Sequence, residues 1–172
     1  MVQVPVLGAS VRQPTEGDLL SVHAALERWW PAGLGASAAT ERALLVPRLY
    51  LQHFTVSSRL VERDDDVLGF LIGFLSATRA DEGYIHFVGV DPALRKQGLA
   101  QYLYEWFFGY CRAHGRSRVR AITSPGNAGS HAFHTAMGFT TEPGRLDFEG
   151  RPVQPDYDGP GMHRVSFVRS IA

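Results

Sequence analysis

The sequence predicts an α/β fold in which a mixed β-sheet carries helices on both faces. Strand-like and helix-like segments alternate along the 172 residues in the order β-α-α-β-β-β-α-β-α-β-β. Two of the helical segments lie between strands, as crossover connections require. The apolar fraction of 45% is that of an ordinary globular protein, so we expect a single domain over residues 1–172.

The first half of the chain predicts one strand, two helices and a hairpin. The helices are separated by a loop of small residues, and Pro47 is expected to break the second helix. The hairpin turns at the acidic triplet Asp64–Asp66, for which a solvated turn is the simpler interpretation and a metal site the alternative. The expected bounds are 8–13 for the strand, Leu19–Trp30 and Thr40–His53 for the helices, 32–39 for the loop, and 57–63 and 67–78 for the hairpin.

The second half predicts two helices between strands. Asn127 is a suitable N-cap for the second of these helices, and Gly138 is a suitable residue just after its end. On this helix we expect an apolar stripe of Ala132, Phe133, Ala136 and Met137, opposite a polar face with Asn127, Ser130, His131 and His134. The expected bounds are Tyr84–Val90, Leu99–His114, Arg118–Thr123, a helix from Asn127, an ordered loop over Glu142–Met162, and a last strand over His163–Ile171.

A strand, a glycine-containing turn and a helix follow one another between Val88 and Ala100. The first N–H groups of a helix lack intrahelical partners and the helix dipole is positive at that end, so this arrangement suits a phosphate. Gly98 lets the backbone approach a bulky anion, and Arg95 adds positive charge. Lys96, also in the turn, is the only lysine of the protein.

The turn Arg95-Lys96-Gln97-Gly98-Leu99-Ala100 resembles motif A of the GCN5-related N-acetyltransferase (GNAT) superfamily, (Q/R)-x-x-G-x-(G/A). The run from Asn127 to Phe139 resembles that superfamily's N-x-x-(S/A)-x-x-(F/L)-Y-x-x-x-G-F element, except that His134 stands at the tyrosine. The resemblance covers about residues 84–139 and extends to the order of elements along the chain. It implies a mostly antiparallel sheet of six to seven strands flanked by about four helices.

The resemblance implies an enzyme that moves an acetyl group from acetyl-CoA to a primary amine by direct attack of the amine on the thioester. Acetyl-CoA is the expected co-substrate, and no metal is expected. The turn is expected to hold the pyrophosphate, and the fourth strand is expected to pair with the pantetheine arm. The cofactor-binding residues that follow from the resemblance are Val88, Val90, Arg95, Lys96, Gln97, Gly98, Leu99, Ala100 and Asn127.

Two histidines are the candidate catalytic residues. His86 lies on the strand before the turn, where some members of the superfamily place a histidine, and would accept the substrate proton. Alternation puts Tyr84, His86, Val88 and Val90 on one face, unless a bulge near Val88 changes the phase. His134 would protonate the leaving thiolate. The alternatives are a packed structural histidine at 86 and a solvated helix face at 134.

The first-choice acceptor is a small-molecule amine, bound near Trp29, Trp30, Tyr84 and Tyr157 together with acidic residues of the long loop. Two core tryptophans and a solvated loop are the structural alternative. Two other functions stay open: acetylation of a protein or peptide amine, and binding of acyl-CoA without turnover. The absence of the superfamily's tyrosine at position 134 motivates the second of these.

Balanced formal charge, with 17 basic and 17 acidic residues, argues against nucleic acid or an anionic membrane as a partner. The longest apolar run, Val67–Ala77, is too short to span a bilayer, and we expect a cytoplasmic protein without a signal peptide. The lone Cys111 is expected to be a core residue rather than a nucleophile. Aromatic residues on more than one face of the Leu99–His114 helix predict that a second helix or a partner subunit covers them, so a homodimer is one expectation.

Overall fold

The computed structural model describes residues 4–30 and 44–172 of the chain. Within those ranges lie four α-helices and nine β-strands. The helices are α1 (Leu19–Trp29), α2 (Arg48–His53), α3 (Leu99–Ala113) and α4 (Ala128–Ala136). The strands are β1 (Ser10–Arg12), β2 (Arg59–Arg63), β3 (Asp66–Leu75), β4 (Glu82–Val90), β5 (Arg118–Thr123), β6 (Thr140–Thr141), β7 (Leu146–Phe148), β8 (Arg151–Val153) and β9 (Val165–Ser170).

Seven of the described strands form one sheet in the order β1-β2-β3-β4-β5-β9-β6, and β7 pairs with β8 alone. The β4–β5 pair is parallel, whereas β1–β2, β2–β3, β5–β9 and β6–β9 are antiparallel. A mixed, mostly antiparallel sheet accompanied by four helices confirms the predicted fold class.

Most of the expected bounds agree with the structure to within a few residues, and β5 spans the predicted Arg118–Thr123. The second helical stretch is interrupted at Pro47, as predicted: Leu44 is helical, and α2 is the part of the stretch after the proline. It begins at Arg48 because Pro47 holds an extended conformation, with φ −66° and ψ 156°, directly before it. The predicted loop 32–39 and the predicted start of that helix, 40–43, lie outside the described residues.

The chain divides into two compact units, and β3, β4 and α3 contribute residues to both. The first unit comprises Met1–Phe74 and Ile85–Tyr110, and the second comprises Leu75–Tyr84 and Cys111–Ala172. A single domain over residues 1–172 stays a prediction.

In the first unit, β3 carries helices on opposite faces. Phe70 stacks on Trp29 of α1, with ring centroids 6.0 Å apart and planes inclined by 16°. Its neighbour Gly69 faces the other side, where a Cβ built on the glycine would stand 3.1 Å from Leu99 Cδ2 of α3. Successive strand residues point to opposite faces, so we call these the α1 face and the α3 face. The buried residues of α1 are Leu19, Val22, Ala25, Leu26 and Trp29.

The β2–β3 hairpin turns at Asp64 and Asp65, which both have positive φ, 52° and 64°. Positive φ at both central residues is the geometry of a tight two-residue hairpin turn, and aspartate tolerates it better than most residues. Both side chains are exposed. The described part of the chain contains no group of three or more His, Cys, Asp or Glu that could hold a metal ion.

In the second unit, Arg120 of β5 links two carboxylates. Its Nε lies 2.8 Å from Glu82 Oε1 of β4, and its guanidinium also pairs with Glu142. The Ser166 hydroxyl of β9 donates a hydrogen bond to Glu142 at 2.6 Å. Burial acts in the opposite direction, but Ser166 and Arg120 together hold the pKa of Glu142 below its usual value.

The expectation of a loop over Glu142–Met162 is wrong in part, because the segment contains the β7–β8 hairpin. Its turn uses Glu149 and Gly150, both with positive φ. Gly144 lies so close to the backbone of Val153 that a Cβ there would overlap it. The hairpin escapes sequence analysis because its strands have three residues each, and the residues of β7 are exposed.

The predicted apolar stripe on α4 is wrong in part, although Met137 is buried and Phe133 is half-buried as expected. His134, placed on the polar face by sequence, is buried, whereas Ala132 and Ala136 are exposed. The His134 ring stacks on Phe167 of β9, with centroids 4.5 Å apart and planes inclined by 12°. Small alanines gain little by burial, so the large flat imidazole occupies the inner position instead.

On α3, the partly exposed Trp106 is covered by the guanidinium of Arg59, whose Cζ lies 3.8 Å from the ring centroid. Part of the aromatic surface that predicted a homodimer is thus covered within the chain, and the homodimer stays a prediction. No helix in the described parts of the chain has the length and apolar character that a membrane crossing needs.

Candidate active site

The turn between β4 and α3 has two residues with left-handed backbone. Asp91 Oδ1 accepts a hydrogen bond from the Ala93 N–H at 2.8 Å and starts a short helical turn over Pro92–Leu94. Lys96 and Gly98 then adopt positive φ, 63° and 83°. Turns of this kind can point neighbouring N–H groups into one concavity that binds an anion.

Helix α3 begins directly after this turn. The Tyr102 N–H donates to the Gly98 carbonyl at 2.9 Å, whereas the N–H groups of Leu99 and Ala100 come before this first intrahelical donor and have no carbonyl of the helix to bond to. The turn therefore offers N–H donors, the positive end of a helix dipole and two cationic side chains to a diphosphate. The exposed residues of the turn are Arg95, Lys96, Gln97 and Gly98; Ala100 is half-buried and Leu99 is buried.

At the C-terminal end of β4, successive residues point to opposite faces of the sheet. Gly89 lies on the α1 face, because a Cβ there would stand 2.8 Å from the Phe70 ring. Val90 lies on the α3 face, since its Cγ2 is 3.5 Å from a Cβ built on Gly69. Counting back by strict alternation from Val90, His86 would also lie on the α3 face.

His86 lies instead on the side of α2. Its ring stacks on Tyr50, with centroids 4.1 Å apart and planes inclined by 16°. Tyr50 in turn packs against the core cluster that contains Trp29 and Phe70, on the α1 face. The prediction that His86 and Val90 share a face is therefore wrong, and a bulge near Val88, the alternative that the sequence left open, would account for the change of phase.

Both ring nitrogens of His86 lie within hydrogen-bonding distance of an oxygen atom. Nε2 lies 2.6 Å from the Leu45 carbonyl oxygen, and Nδ1 lies 3.2 Å from the Tyr50 hydroxyl. The side chain is half-buried. Sequence analysis identified His86 but missed Tyr50 and Leu45, which lie 36 and 41 positions away and carry no motif.

His134 is held within the second unit. Its Nδ1 lies 2.8 Å from the Ser130 carbonyl oxygen, so Nδ1 carries the proton and donates it. Burial lowers the pKa of His134 from its usual value, despite the opposing effect of that hydrogen bond. The ring is therefore neutral at neutral pH, and donating a proton from it as an imidazolium would require charging it against the cost of burial.

Asn127, the predicted cofactor-binding residue of the second motif, caps α4. Asn127 Oδ1 accepts a hydrogen bond from the Ser130 N–H at 3.0 Å, as its predicted role as an N-cap requires. Gly138 has φ 78° just after the helix, as predicted. These local features belong to the second unit, whereas His86 and the turn at Gly98 belong to the first.

The four predicted substrate residues differ in exposure. Trp29 is only 6% exposed and lies in the core, and its indole Nε1–H has no hydrogen-bond partner among the residues that the structure describes. Trp30 is half-buried and meets Trp29 edge to face. Tyr84 is half-buried beside Arg120 in the β4–β5 register, and Tyr157 is 47% exposed. Tyr157 is thus the most accessible of the four.

Cys111 is fully buried, and burial raises the pKa of its thiol to about 12. A thiol in this state is not a nucleophile at neutral pH, as the sequence predicted.

Comparison with known proteins gives a family match that includes the turn. The model of the acetyltransferase (GNAT) family matches residues 21–139, which include β4, the turn, α3 and the second motif. The chain belongs to the GNAT family. It is accordingly an acetyltransferase that uses acetyl-CoA, and the prediction drawn from the two motifs is confirmed at this level. No curated protein matches the chain in sequence.

Many solved structures share this GNAT fold. A GNAT-family protein from Desulfovibrio desulfuricans is 19% identical, with a TM-score of 0.72 and coverage of 95% of this chain and 99% of its own. An acetyltransferase-like structure from Salmonella typhimurium that contains acetyl-CoA is 16% identical, with a TM-score of 0.64 and coverages of 96% and 95%. N-acetylglutamate synthase from Neisseria gonorrhoeae, complexed with coenzyme A and N-acetyl-glutamate, is 26% identical over 95% of this chain and 35% of its own, with a TM-score of 0.68.

Proposed function

We propose that this chain acetylates a primary amine of a small molecule by direct attack of the amine on the thioester of acetyl-CoA, with His86 as the base. The observation that carries the proposal is the fixed imidazole of His86 on β4, four residues before Val90 and nine before the start of the turn at Arg95. The same strand thus carries the group that takes a proton and leads to the group that holds a diphosphate.

The turn fits the diphosphate of acetyl-CoA by its own geometry. Positive φ at Lys96 and Gly98, together with the start of α3, leaves backbone donors beside two exposed cationic side chains. Val88 and Val90 lie beyond the three β4 residues that pair with β5, Glu82–Tyr84, so the pantetheine arm would add to β4 at these two residues. Bound there, acetyl-CoA supplies the activated acetyl group.

His86 would take one proton from the substrate ammonium, directly or through one water, and leave a neutral amine with a lone pair for attack. The backbone N–H near Val88 is the proposed donor to the carbonyl oxygen of the thioester. For the proton that the leaving sulfur takes up, His134 stays a prediction that its buried, neutral state disfavours. A proton from solvent is the simpler source.

The acceptor amine is proposed from the acidic and aromatic residues of the segment after β6. Tyr157 lies between Asp156 and Asp158, and all three are exposed. Carboxylates beside an aromatic ring attract an ammonium group. N-acetyl-glutamate bound to the Neisseria protein supports a small acceptor over a protein amine. A cytoplasmic location stays a prediction from the sequence.

The experiment measures the release of CoA thiol from acetyl-CoA with polyamines, amino acids, aminoglycosides, aryl amines and short peptides as acceptors. Turnover with a small amine supports the proposal and identifies the acceptor class. Turnover with peptides alone would replace it by protein acetylation. Binding of acetyl-CoA without turnover on any amine would favour the non-catalytic alternative, which the histidine at position 134 motivates.

A further inference from the structure

The imidazole of His86 is held on two sides by residues with no assigned role. The main-chain carbonyl of Leu45 lies at one ring nitrogen, at 2.6 Å, and the Tyr50 ring lies along the imidazole face. Tyr50 itself is fixed, because its ring also meets Phe54 at 5.4 Å. These contacts all lie within the first unit.

The Leu45 contact decides which nitrogen of His86 is basic. A carbonyl oxygen only accepts hydrogen bonds, so Nε2 must carry a proton and donate it at this distance. In the neutral ring the other nitrogen, Nδ1, then has the lone pair. Protonation at Nδ1 leaves the Nε2–H bond to Leu45 intact, so the ring can gain and lose a proton without turning.

The Tyr50 contact is a stacking contact rather than an in-plane hydrogen bond. The two rings are within 16° of parallel at a centroid distance of 4.1 Å, so the hydroxyl oxygen, 3.2 Å from Nδ1, lies over the imidazole face. The lone pair of Nδ1 lies in the plane of the ring and points away from that oxygen. Burial raises the pKa of Tyr50, so its hydroxyl stays protonated and does not compete as a base.

We infer that Tyr50 and the Leu45 carbonyl are the positioning elements of the reaction, which hold His86 as the Nε2–H tautomer and make Nδ1 the atom that accepts the substrate proton. The inference rests on the proposed function, in which His86 is the base. In this step the substrate N–H bond breaks and the Nδ1–H bond forms, the electron pair stays on the amine, and the imidazolium later returns its proton to solvent. Tyr50 acts through its ring and not through its hydroxyl.

The test combines nitrogen-15 NMR of the histidine rings with kinetics of two variants of Tyr50. Tyr50→Phe keeps the stacked ring and removes the hydroxyl, and Tyr50→Leu removes the ring. His86→Gln assigns the His86 signals among those of the seven histidines. We expect the Nε2–H tautomer in the wild type and in Tyr50→Phe, with kcat changed by less than about threefold in Tyr50→Phe. In Tyr50→Leu we expect mixed tautomers and a kcat lowered roughly tenfold or more at an unchanged KM for acetyl-CoA.

Three results would overturn the inference: an Nδ1–H tautomer in the wild type, a Tyr50→Phe variant as inactive as His86→Gln, or a Tyr50→Leu variant with wild-type kcat. If Tyr50→Leu does not fold, the tautomer of the wild type and the kinetics of Tyr50→Phe still decide. If the wild type transfers no acetyl group to any amine, the proposed function fails, and the tautomers of wild type and Tyr50→Leu decide whether Tyr50 orients the ring.

Discussion

The ring of Phe107 on α3 lies where a side chain at Gly73 of β3 would begin. A Cβ built on Gly73 would stand 2.5 Å from Phe107 Cε2, and Phe107 itself is fully buried. Helix α3, which follows the turn at Gly98, therefore packs on the strand through an aromatic ring that lies directly on glycine backbone. The position of the turn depends on this contact as well as on its own residues.

We predict that Gly73→Ala destabilises the protein by about 1–3 kcal/mol, because the new methyl group overlaps a fully buried ring. Gly109→Ala is the matched control: it lies on α3 with nothing within 4 Å of the added Cβ, and alanine is the better helix former there. Urea unfolding measures both. Equal stability of Gly73→Ala and the wild type would mean that α3 can shift to make space.

Gly98→Ala is expected to weaken acetyl-CoA binding. The residue has φ 83°, and the added Cβ meets no atom closer than 3.9 Å, so the substitution acts through backbone strain and not through a clash. Gly115→Ala, with φ 73° and open space beyond the end of α3, carries a similar strain outside the turn. Calorimetric titration with acetyl-CoA should show a higher Kd for Gly98→Ala alone, whereas urea unfolding should show similar losses of about 1–2 kcal/mol for both. Unchanged Kd in Gly98→Ala would separate the turn from the cofactor.

His86→Ala should lower kcat by about 10²-fold and leave the Kd for acetyl-CoA unchanged, because it removes the proposed base and no part of the turn proposed to hold the diphosphate. His114→Ala, an exposed histidine beyond the end of α3, is the control and should keep wild-type kcat. Stopped-flow or steady-state release of CoA measures both variants. A His86→Ala enzyme with a wild-type kcat over roughly pH 6 to 9 would remove His86 from the mechanism.

His134 is expected to make stability depend on pH. Burial lowers its folded-state pKa, so in acid the unfolded chain takes up the proton first and the folded state loses stability. The contribution of neutral His134 to the free energy of unfolding is complete above the unfolded-state pKa of about 6.5, and it falls as the pH drops below that pKa. His134→Phe keeps a ring against Phe167 and has no proton to gain, so its unfolding free energy should vary less between about pH 7 and 5. Parallel pH profiles for the two proteins would contradict the neutral state of His134.

Sequence alone predicted the parts of this molecule that depend on neighbouring residues. Asn127 and Gly138 were identified as the ends of α4, because capping involves residues within one helical turn. The burial of His134 was missed, since it depends on Phe167, 33 positions along the chain. The face of His86 was mistaken for a related reason: its ring stacks on Tyr50, 36 positions away, and no residue type in the strand marks that contact.

The Leu45 contact to His86 has a consequence for the evolution of this site. The hydrogen-bond acceptor is the main-chain oxygen of Leu45, and the residue as a whole is 42% exposed. Every amino acid carries the same carbonyl, so drift at position 45 leaves the proton-accepting nitrogen unchanged, and no substitution removes the acceptor. Insertion or deletion of a residue between Leu45 and Pro47 would move the carbonyl instead. Spacing, rather than identity, is what selection can act on there.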